Sequence, residues 1–412
     1  MHDETRTTAV DAPEVVIVGG GVAAAETLLA LRAVAPDPTA PAVALVAPGE
    51  WLTYRPLAVR EPFGDAPPRR YRLADICADQ GATLVRGIVA RVDADRRVAV
   101  LASGERLRWD ALVIAAGGRT QPTLPGAETF MPDDDPGRLR PLLDELAAGR
   151  VRRLAFVATA ASRWQLPLYE LALLTARWLR DRGIDGVALT VVTVEPRPLA
   201  VFRGAGADAV ARLLADAGIA VVADVHASKV EGGALWLVPG PRRLPVDRVV
   251  ALPRIDGPAI GGLPRDGDGF IRVDGDGRVP DRPDVYAVGD ATAFPLKQGG
   301  LAAHQADRVA ALVARAAGVD VPLPPARPLL RALLLTGDGP LFLEATIAGG
   351  VTVTSRVSRT PLWAPPDKIA AHHLGRYLAT RTAQRPARPT ALDRDRAAIA
   401  REQAGRRPPR DR

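Results

Sequence analysis

Residues 14–29, EVVIVGGGVAAAETLL, decide the fold. Val15 to Val18 are apolar and β-branched with no alternation, the pattern of a strand buried on both faces of a parallel sheet. Gly19, Gly20 and Gly21 follow at once and lead into an alanine-rich helical run. In the spacing G-x-G-x-x-A, Gly19 permits the tight turn out of the strand. Gly21 lets the backbone approach a pyrophosphate, and Ala24 is small enough for the helix to pack on the strand. The free N–H groups and positive end of that helix then face the phosphates. Strand, turn and helix stand in the order a dinucleotide site needs. The acid that would hold a ribose at the end of the next strand, Ala42–Val46, is missing. Ala47 stands there, so this turn alone does not choose between NAD and FAD.

The 412 residues suffice for two or three domains. No apolar run approaches the length of a bilayer span. The N-terminal MHDETRTTAVDAPE is polar and acidic where a signal peptide would be apolar, which predicts a cytoplasmic protein. A single cysteine, Cys77, excludes an intrachain disulfide and a cysteine zinc cluster, and no metal centre is expected. The net charge of +7 and pI of about 10.1 would suit a nucleic-acid binder. The charge is not spread evenly, however: residues 381–412 are an arginine-rich stretch with no interleaved aromatics. It reads as a disordered basic tail, and no nucleic-acid partner is expected. Only Lys229, Lys297 and Lys368 among 54 basic residues are lysines, which draws attention to each.

The second informative stretch is residues 284–294, DVYAVGDATAF. An apolar strand ending in Gly289-Asp290 puts a carboxylate at the carboxyl edge of the sheet, where it can accept hydrogen bonds from a ribityl chain. Together with the glycine turn, this resembles the two-part FAD site of the pyridine nucleotide-disulfide oxidoreductase superfamily. Ala115, Ala116 and Gly117 resemble that superfamily's A-T-G segment, with Ala116 where threonine is usual. Val279 stands where a threonine often opens the second motif. Residues 297–307 (KQGGLAAHQAD), 54–57 (YRPL) and 164–176 (WQLPLYELALLTA) look like the branch containing sulfide:quinone oxidoreductases and type II NADH dehydrogenases.

The resemblance implies an α/β fold with two nested Rossmann-like dinucleotide-binding domains plus a small C-terminal domain. The FAD-binding domain would occupy 14–120 and 248–321, and a second Rossmann-like domain, degenerate in its NAD(P)-type features, 121–247. The C-terminal domain, 322–380, would hold strands at Leu329–Leu335, Leu341–Ile347 and Val351–Val357 and a helix at Lys368–Thr380. FAD contacts are implied at Gly19, Gly20, Gly21, Ala24, Ala47, Arg55, Pro56, Val89, Ala115, Ala116, Gly117, Gly289 and Asp290. Lys297, Gln298, Gly299 and Gly300 would lie beside the flavin pyrimidine. There the positive end of a helix starting near Gly300, together with Lys297, would raise the flavin potential. Glu170, amid apolar residues early in a helix, would lie near flavin and quinone. Burial would raise its pKa and suit it to relay a proton.

Other residues stay open. Trp164, Pro167 and Tyr169 wall a substrate pocket or pack in a core; His304 and Gln305 serve a quinone site or an ordinary helix surface. Two departures narrow the chemistry. Cys77 is alone in a helical run, so disulfide chemistry between protein cysteines is impossible within one chain. The second Rossmann-like unit has Thr159-Ala160-Ala161-Ser162-Arg163 and then Trp164 where NAD(P)H-using relatives need a glycine cradle, and the acid at Glu195 lacks the turn that would make it a ribose ligand. The expectation is therefore a FAD-dependent oxidoreductase that takes electrons from an unidentified small-molecule donor and passes them to a quinone or similar acceptor, a quinone being one that the membrane surface would supply. The alternatives are an NAD(P)H-dependent flavin dehydrogenase and a non-catalytic flavin-binding sensor. Peripheral contact with the inner face of the membrane would use the C-terminal domain and the helix at 368–377. The oligomeric state is not indicated.

Overall fold

The computed structural model describes residues 15–35, 41–64, 69–131, 139–240, 242–326, 329–348 and 351–381. The N-terminal arm and the basic tail beyond Arg381 expected from sequence lie outside the described residues. The helices are α1 (Val22–Val34), α2 (Leu73–Asp79), α3 (Arg140–Ala147), α4 (Leu166–Asp181), α5 (Arg203–Asp216), α6 (Gly299–Ala316) and α7 (His373–Ala379).

Three sheets organise the α/β fold. The first is ordered Arg278–Val279, Arg282–Ala287, Ala111–Ile114, Val15–Val18, Val43–Ala47, Thr83–Arg86, and all but its first strand run parallel. Val15 pairs with Val43 on one side and Ala111 on the other, so the opening strand is central and all four of its residues are buried. Ile17 faces a core shared with α1, α6 and α7, whereas Val16 and Val18 face a small antiparallel sheet built from residues 89–108. Coverage of both faces explains the absence of alternation in the sequence.

The second sheet, also parallel, is ordered Glu128–Thr129, Arg248–Ala251, Arg153–Ala158, Ala188–Thr193, Ala220–Val222. One face packs on α4 and α5. The other packs on an antiparallel sheet within 226–245 that sequence patterning did not reveal. Antiparallel strands Arg119–Gln121 and Arg254–Asp256 carry the chain out of the first unit and back. Gly118 sits at this crossing, where a Cβ would lie 2.4 Å from the Ile255 side chain.

The third sheet is an antiparallel meander of Leu329–Leu335, Pro340–Ala348 and Val351–Ser358, in the three places the sequence indicated. Leu330, Leu334 and Leu343 join Leu168 and Leu171 of α4 in one core.

The C-terminal helix differs from expectation. Residues 368–372 are not helical, and α7 begins at His373. Lys368 is instead directed into the protein, and Glu26 of α1 supplies the helix start by accepting the N–H groups of His373 (2.9 Å) and Leu374 (2.5 Å). Seven residues are too few to hold a helix in isolation. Leu374 and Leu378, buried against the first core, stabilise it through packing, at about 1.5–3 kcal/mol for each fully buried side chain. That apolar face is therefore used inside the protein. Among the described residues no helix is long and apolar enough to cross a membrane.

Candidate flavin site and buried ion pair

Three adjacent strands of the first sheet end side by side. Gly19 follows Val18, Ala115 follows Ile114, and Val288-Gly289 follows Ala287. Hydrogen bonds from Ala115 N to Val18 O (2.8 Å) and from Val288 N to Ile114 O (3.0 Å) extend the ladder to its edge. The chain leaves the central strand toward one side for Val43–Ala47 and returns to its other side for Ala111–Ile114, so this edge is a topological switch point, the place where open α/β sheets bind ligands.

The glycines divide by what surrounds them. Gly19 has φ of +135°, and a Cβ there would lie 2.2 Å from Ala115 O, so the turn itself requires glycine. A Cβ on Gly20 would meet Leu73 at 2.8 Å and Ala47 at 3.1 Å; a Cβ on Gly21, the N-cap of α1, would meet nothing within 4 Å. Gly21 thus opens a cradle over the helix N-terminus that a methyl group would begin to fill. Gly289, at φ of +67°, is wedged between α1 and α6, with Ala23 and Ala302 each 3.1 Å from where its Cβ would be. Gln305 Oε1 accepts the Gly289 N–H at 2.7 Å. Gln305 therefore braces the Gly289-Asp290 turn rather than a quinone, and His304 is engaged by Pro325 O at 2.8 Å.

The other expected residues lie around this edge in different roles. Ala24 and Ala47 are fully buried in the first core, and Val89 in the core of the opposite face. Ala115 is buried, and Gly117, at φ of +70°, has open space where a Cβ would be. Arg55 and Pro56 open the 3₁₀ run Arg55–Phe63 that begins at Tyr54. Gln298 caps α6: its Oε1 accepts Leu301 N at 2.8 Å while Nε2 donates to Arg331 O at 2.9 Å. Gly300 lies under that amide, and Gly299 packs against Ile369. The side chain of Gln298 is thus committed to the helix start, and its carbonyl accepts the Ala302 N–H at 2.9 Å.

Lys297 is 4% exposed, with Nζ donating to Thr292 O and lying 3.6 Å from the centre of the Phe270 ring. Desolvation brings its pKa down to about 8 against the opposing pull of Asp290. A lysine expected simply as a charge near a helix start is thus held in one buried position, where desolvation weakens its hold on the proton.

Glu170 is 1% exposed. Its Oε1 accepts the Leu335 N–H at 2.9 Å and a hydrogen bond from Lys368 Nζ, which also donates to Leu333 O at 2.6 Å. Its Oε2 is buried without a protein partner. Burial raises the Glu170 pKa against the opposing effect of Lys368, and burial lowers that of Lys368 against the opposing effect of Glu170. Burial thus moves the two proton affinities toward one another. Lys368 precedes Ile369, the residue packed on Gly299, so the pair is tied to the N-terminal end of α6. Sequence reading found Glu170; for Lys368 the only signal was the rarity of lysine.

A second buried acid went unrecognised. Glu26 is hydrogen-bonded to Asp307 of α6, whose pKa rises to about 9 through burial and the neighbouring Glu26. Asp307 therefore keeps its proton at neutral pH. His373, 4.0 Å from Asp307, is held neutral, its pKa pushed down to about 4 by burial.

The remaining candidates are structural. Tyr169 is fully buried and donates to Glu195 Oε2 at 2.5 Å, while Glu195 Oε1 accepts Ala200 N at 2.9 Å. Tyr169 is core rather than pocket wall, and Glu195 caps a turn. Pro167 lies in the first turn of α4, and Trp164 packs edge-on to Phe202 at 6.4 Å. Cys77 is buried in α2, and burial pushes its thiol up to about 11, far from a reactive thiolate.

The family model for pyridine nucleotide-disulphide oxidoreductases matches residues 13–150 and 171–316, more than half of the chain and both parts of the first sheet. The chain belongs to the pyridine nucleotide-disulphide oxidoreductase family. It is a FAD-dependent oxidoreductase, and the open cradle at Gly21 beside the helix N-terminus fits that cofactor. Among solved structures, the sulfide:quinone oxidoreductase of the hyperthermophilic bacterium Aquifex aeolicus is similar with a TM-score of 0.75 at 21% identity, covering 84% of this chain and 87% of that one. The ferredoxin reductase for the CYP199A2 system of Rhodopseudomonas palustris is similar with a TM-score of 0.60 at 20% identity, covering 82% and 83%. These likenesses describe the fold. No curated protein sequence matches the chain.

Proposed function

We propose that the enzyme passes electrons from a small-molecule donor to a quinone, with Glu170 and Lys368 managing the protons that quinone reduction consumes. Bound FAD supplies a two-electron carrier able to accept from one substrate and release to another. Gly19, Gly21, Gly117 and Asp290, at the carboxyl edge of the first sheet, would hold it, with α1 directing its positive end at the phosphates. The start of α6 and Lys297 would favour the negative charge of a reduced flavin.

The observation that carries the reading is the fully buried Glu170–Lys368 pair. An ion pair in a dry interior is weak evidence for stability, since burial disfavours both charges. An acid and a base whose proton affinities converge, with one carboxylate oxygen left without a protein partner, suit a group that gives up and regains protons. Quinone reduction takes up two protons with two electrons, and a buried acid beside a base can supply them from inside the protein. The likeness in fold to a sulfide:quinone oxidoreductase supports a quinone acceptor. A thiol relay from the donor has no second cysteine to use, so the donor must reach the flavin directly.

The test is reoxidation of photoreduced holoenzyme by duroquinone without oxygen. Rapid, saturable reoxidation is expected, slowed at least about tenfold and altered in pH profile by Glu170→Gln. Reoxidation no faster than by quinone and free FAD mixed in solution would overturn the reading.

A further inference from the structure

We infer that Tyr54 is a positioning residue that delivers Lys368 to Glu170 by clipping residues 367–369 to the loop carrying Arg55 and Pro56. The inference rests on the quinone reading above for its consequence in activity, and on geometry alone for the clip. Tyr54 is buried at the end of the Trp51–Thr53 strand, its own N–H fixed to Arg69 O at 2.8 Å. Its hydroxyl oxygen accepts the Ile369 N–H at 2.8 Å, and the Asp367 carboxylate lies beside it. Asp367 Oδ1 in turn accepts the Lys368 N–H at 2.7 Å. The backbone after Lys368 is thus held by this hydroxyl, and the carboxylate that holds the Lys368 N–H lies against the same group. Burial and the adjacent Asp367 keep that hydroxyl protonated and able to donate.

The clip is needed because nothing regular holds this stretch. Residues 359–372 contain neither helix nor strand, so Lys368 has no ladder to fix its direction. A lysine side chain has four rotatable bonds and settles in one buried pose only if its backbone is anchored. The other anchors act on Asp367, one residue before Lys368. Trp363 Nε1 donates to Asp367 O at 3.1 Å and packs edge-on to Phe342, and Arg69, half exposed, lies 3.7 Å from Asp367. Tyr54 is also the N-cap of the 3₁₀ run whose Ala58 and Val59 pack in the α4 core, the helix that carries Glu170. One residue therefore links the expected flavin-side loop, the acid's helix and the lysine's segment.

Tyr54→Phe keeps the ring and removes the clip. The readout independent of turnover is tryptic cleavage after Lys368, located by mass spectrometry on apo- and holoenzyme. At least a tenfold faster cut there is expected, with cleavage elsewhere unchanged; equal rates would overturn the inference. In the duroquinone assay the same variant should be slowed about tenfold and change its pH profile. It should also be non-additive with Lys368→Gln, because both act through one side chain. Additive losses with an unchanged pH profile would show a merely structural tyrosine and overturn the inference. If the wild type fails to reduce quinone, the functional reading falls while the cleavage result still decides the clip. If Tyr54→Phe does not fold, Asp367→Ala breaks the clip from its other side and is read in the same way.

Discussion

Replacing Gly21 and Gly19 separately by alanine should split ligand binding from folding. At Gly19 the added methyl group would sit 2.2 Å from Ala115 O and 2.6 Å from Ala115 C, in a backbone with φ of +135°. Strained φ costs about 1–3 kcal/mol, and forcing atoms into a packed site costs about 1–3 more. The sum, about 2–6 kcal/mol, is a large part of an ordinary domain's stability. At Gly21 the backbone is extended, φ −96° and ψ −168°, with no atom within 4 Å of the new methyl group. Alanine is a poorer N-cap than glycine but restricts the unfolded chain, and these opposing effects of about 0.5–1 kcal/mol nearly cancel. The Gly21→Ala apoprotein should therefore unfold in urea within about 1 kcal/mol of the wild type. FAD binding should suffer, because each backbone contact to a phosphate is worth about 1.5–3 kcal/mol, or about tenfold to a few hundredfold in Kd. Fluorescence titration of apoprotein with FAD measures this. Wild-type affinity in Gly21→Ala, or destabilisation equal to that of Gly19→Ala, would refute the division of roles.

Three further outcomes are expected. Lys368→Met strands a buried carboxyl and should cost about 3–5 kcal/mol in urea unfolding, largely recovered by adding Glu170→Gln; a single-variant loss under about 1 kcal/mol would contradict the pairing. Asp307 has a folded pKa of about 9, far above its unfolded value of 3.8, so folding holds its proton and stability from this group is fully present below about pH 4 and drains away as pH rises toward 9. Asp307→Asn, which can still donate to Glu26, should gain on the wild type by up to about 1.4 kcal/mol per pH unit between pH 6 and 8, and a pH-independent difference would show that Asp307 is not holding a proton. NADH and NADPH should be poor reductants, because Thr159 to Trp164 put side chains where a glycine cradle would be and Glu195 is committed to Tyr169 and Ala200; saturable anaerobic flavin bleaching faster than about 10 per second would speak for the dehydrogenase alternative.

The opening strand, the glycine turn and the Gly289-Asp290 strand end were legible because each depends on residues close together in sequence. The meander at 329–358 was legible because three apolar runs lie a turn apart. What escaped depends on partners far along the chain. Glu26 looks like an ordinary helix residue until α7 is seen to start on it, 347 residues later. Gln305 looks like helix surface until the Gly289 N–H is found at its tip. Lys368 falls in a stretch whose composition suits a helix, and the chain stays irregular there through partners far away in sequence, Glu170 and Tyr54. The hairpins within 226–245 escaped because their exposed charged residues obscure the apolar alternation that packs on the second sheet.

The distance in sequence between Glu170 and Lys368, 198 residues, has a consequence for how the protein is made. A ribosome releases α4 and the strands around it well before it reaches the lysine. Until then Glu170 has no cation to meet, and a carboxyl entering an apolar core alone does so with its proton on. In the nascent chain Glu170 therefore enters its core in the neutral form, and the charge on that side chain depends on one of the later segments to emerge.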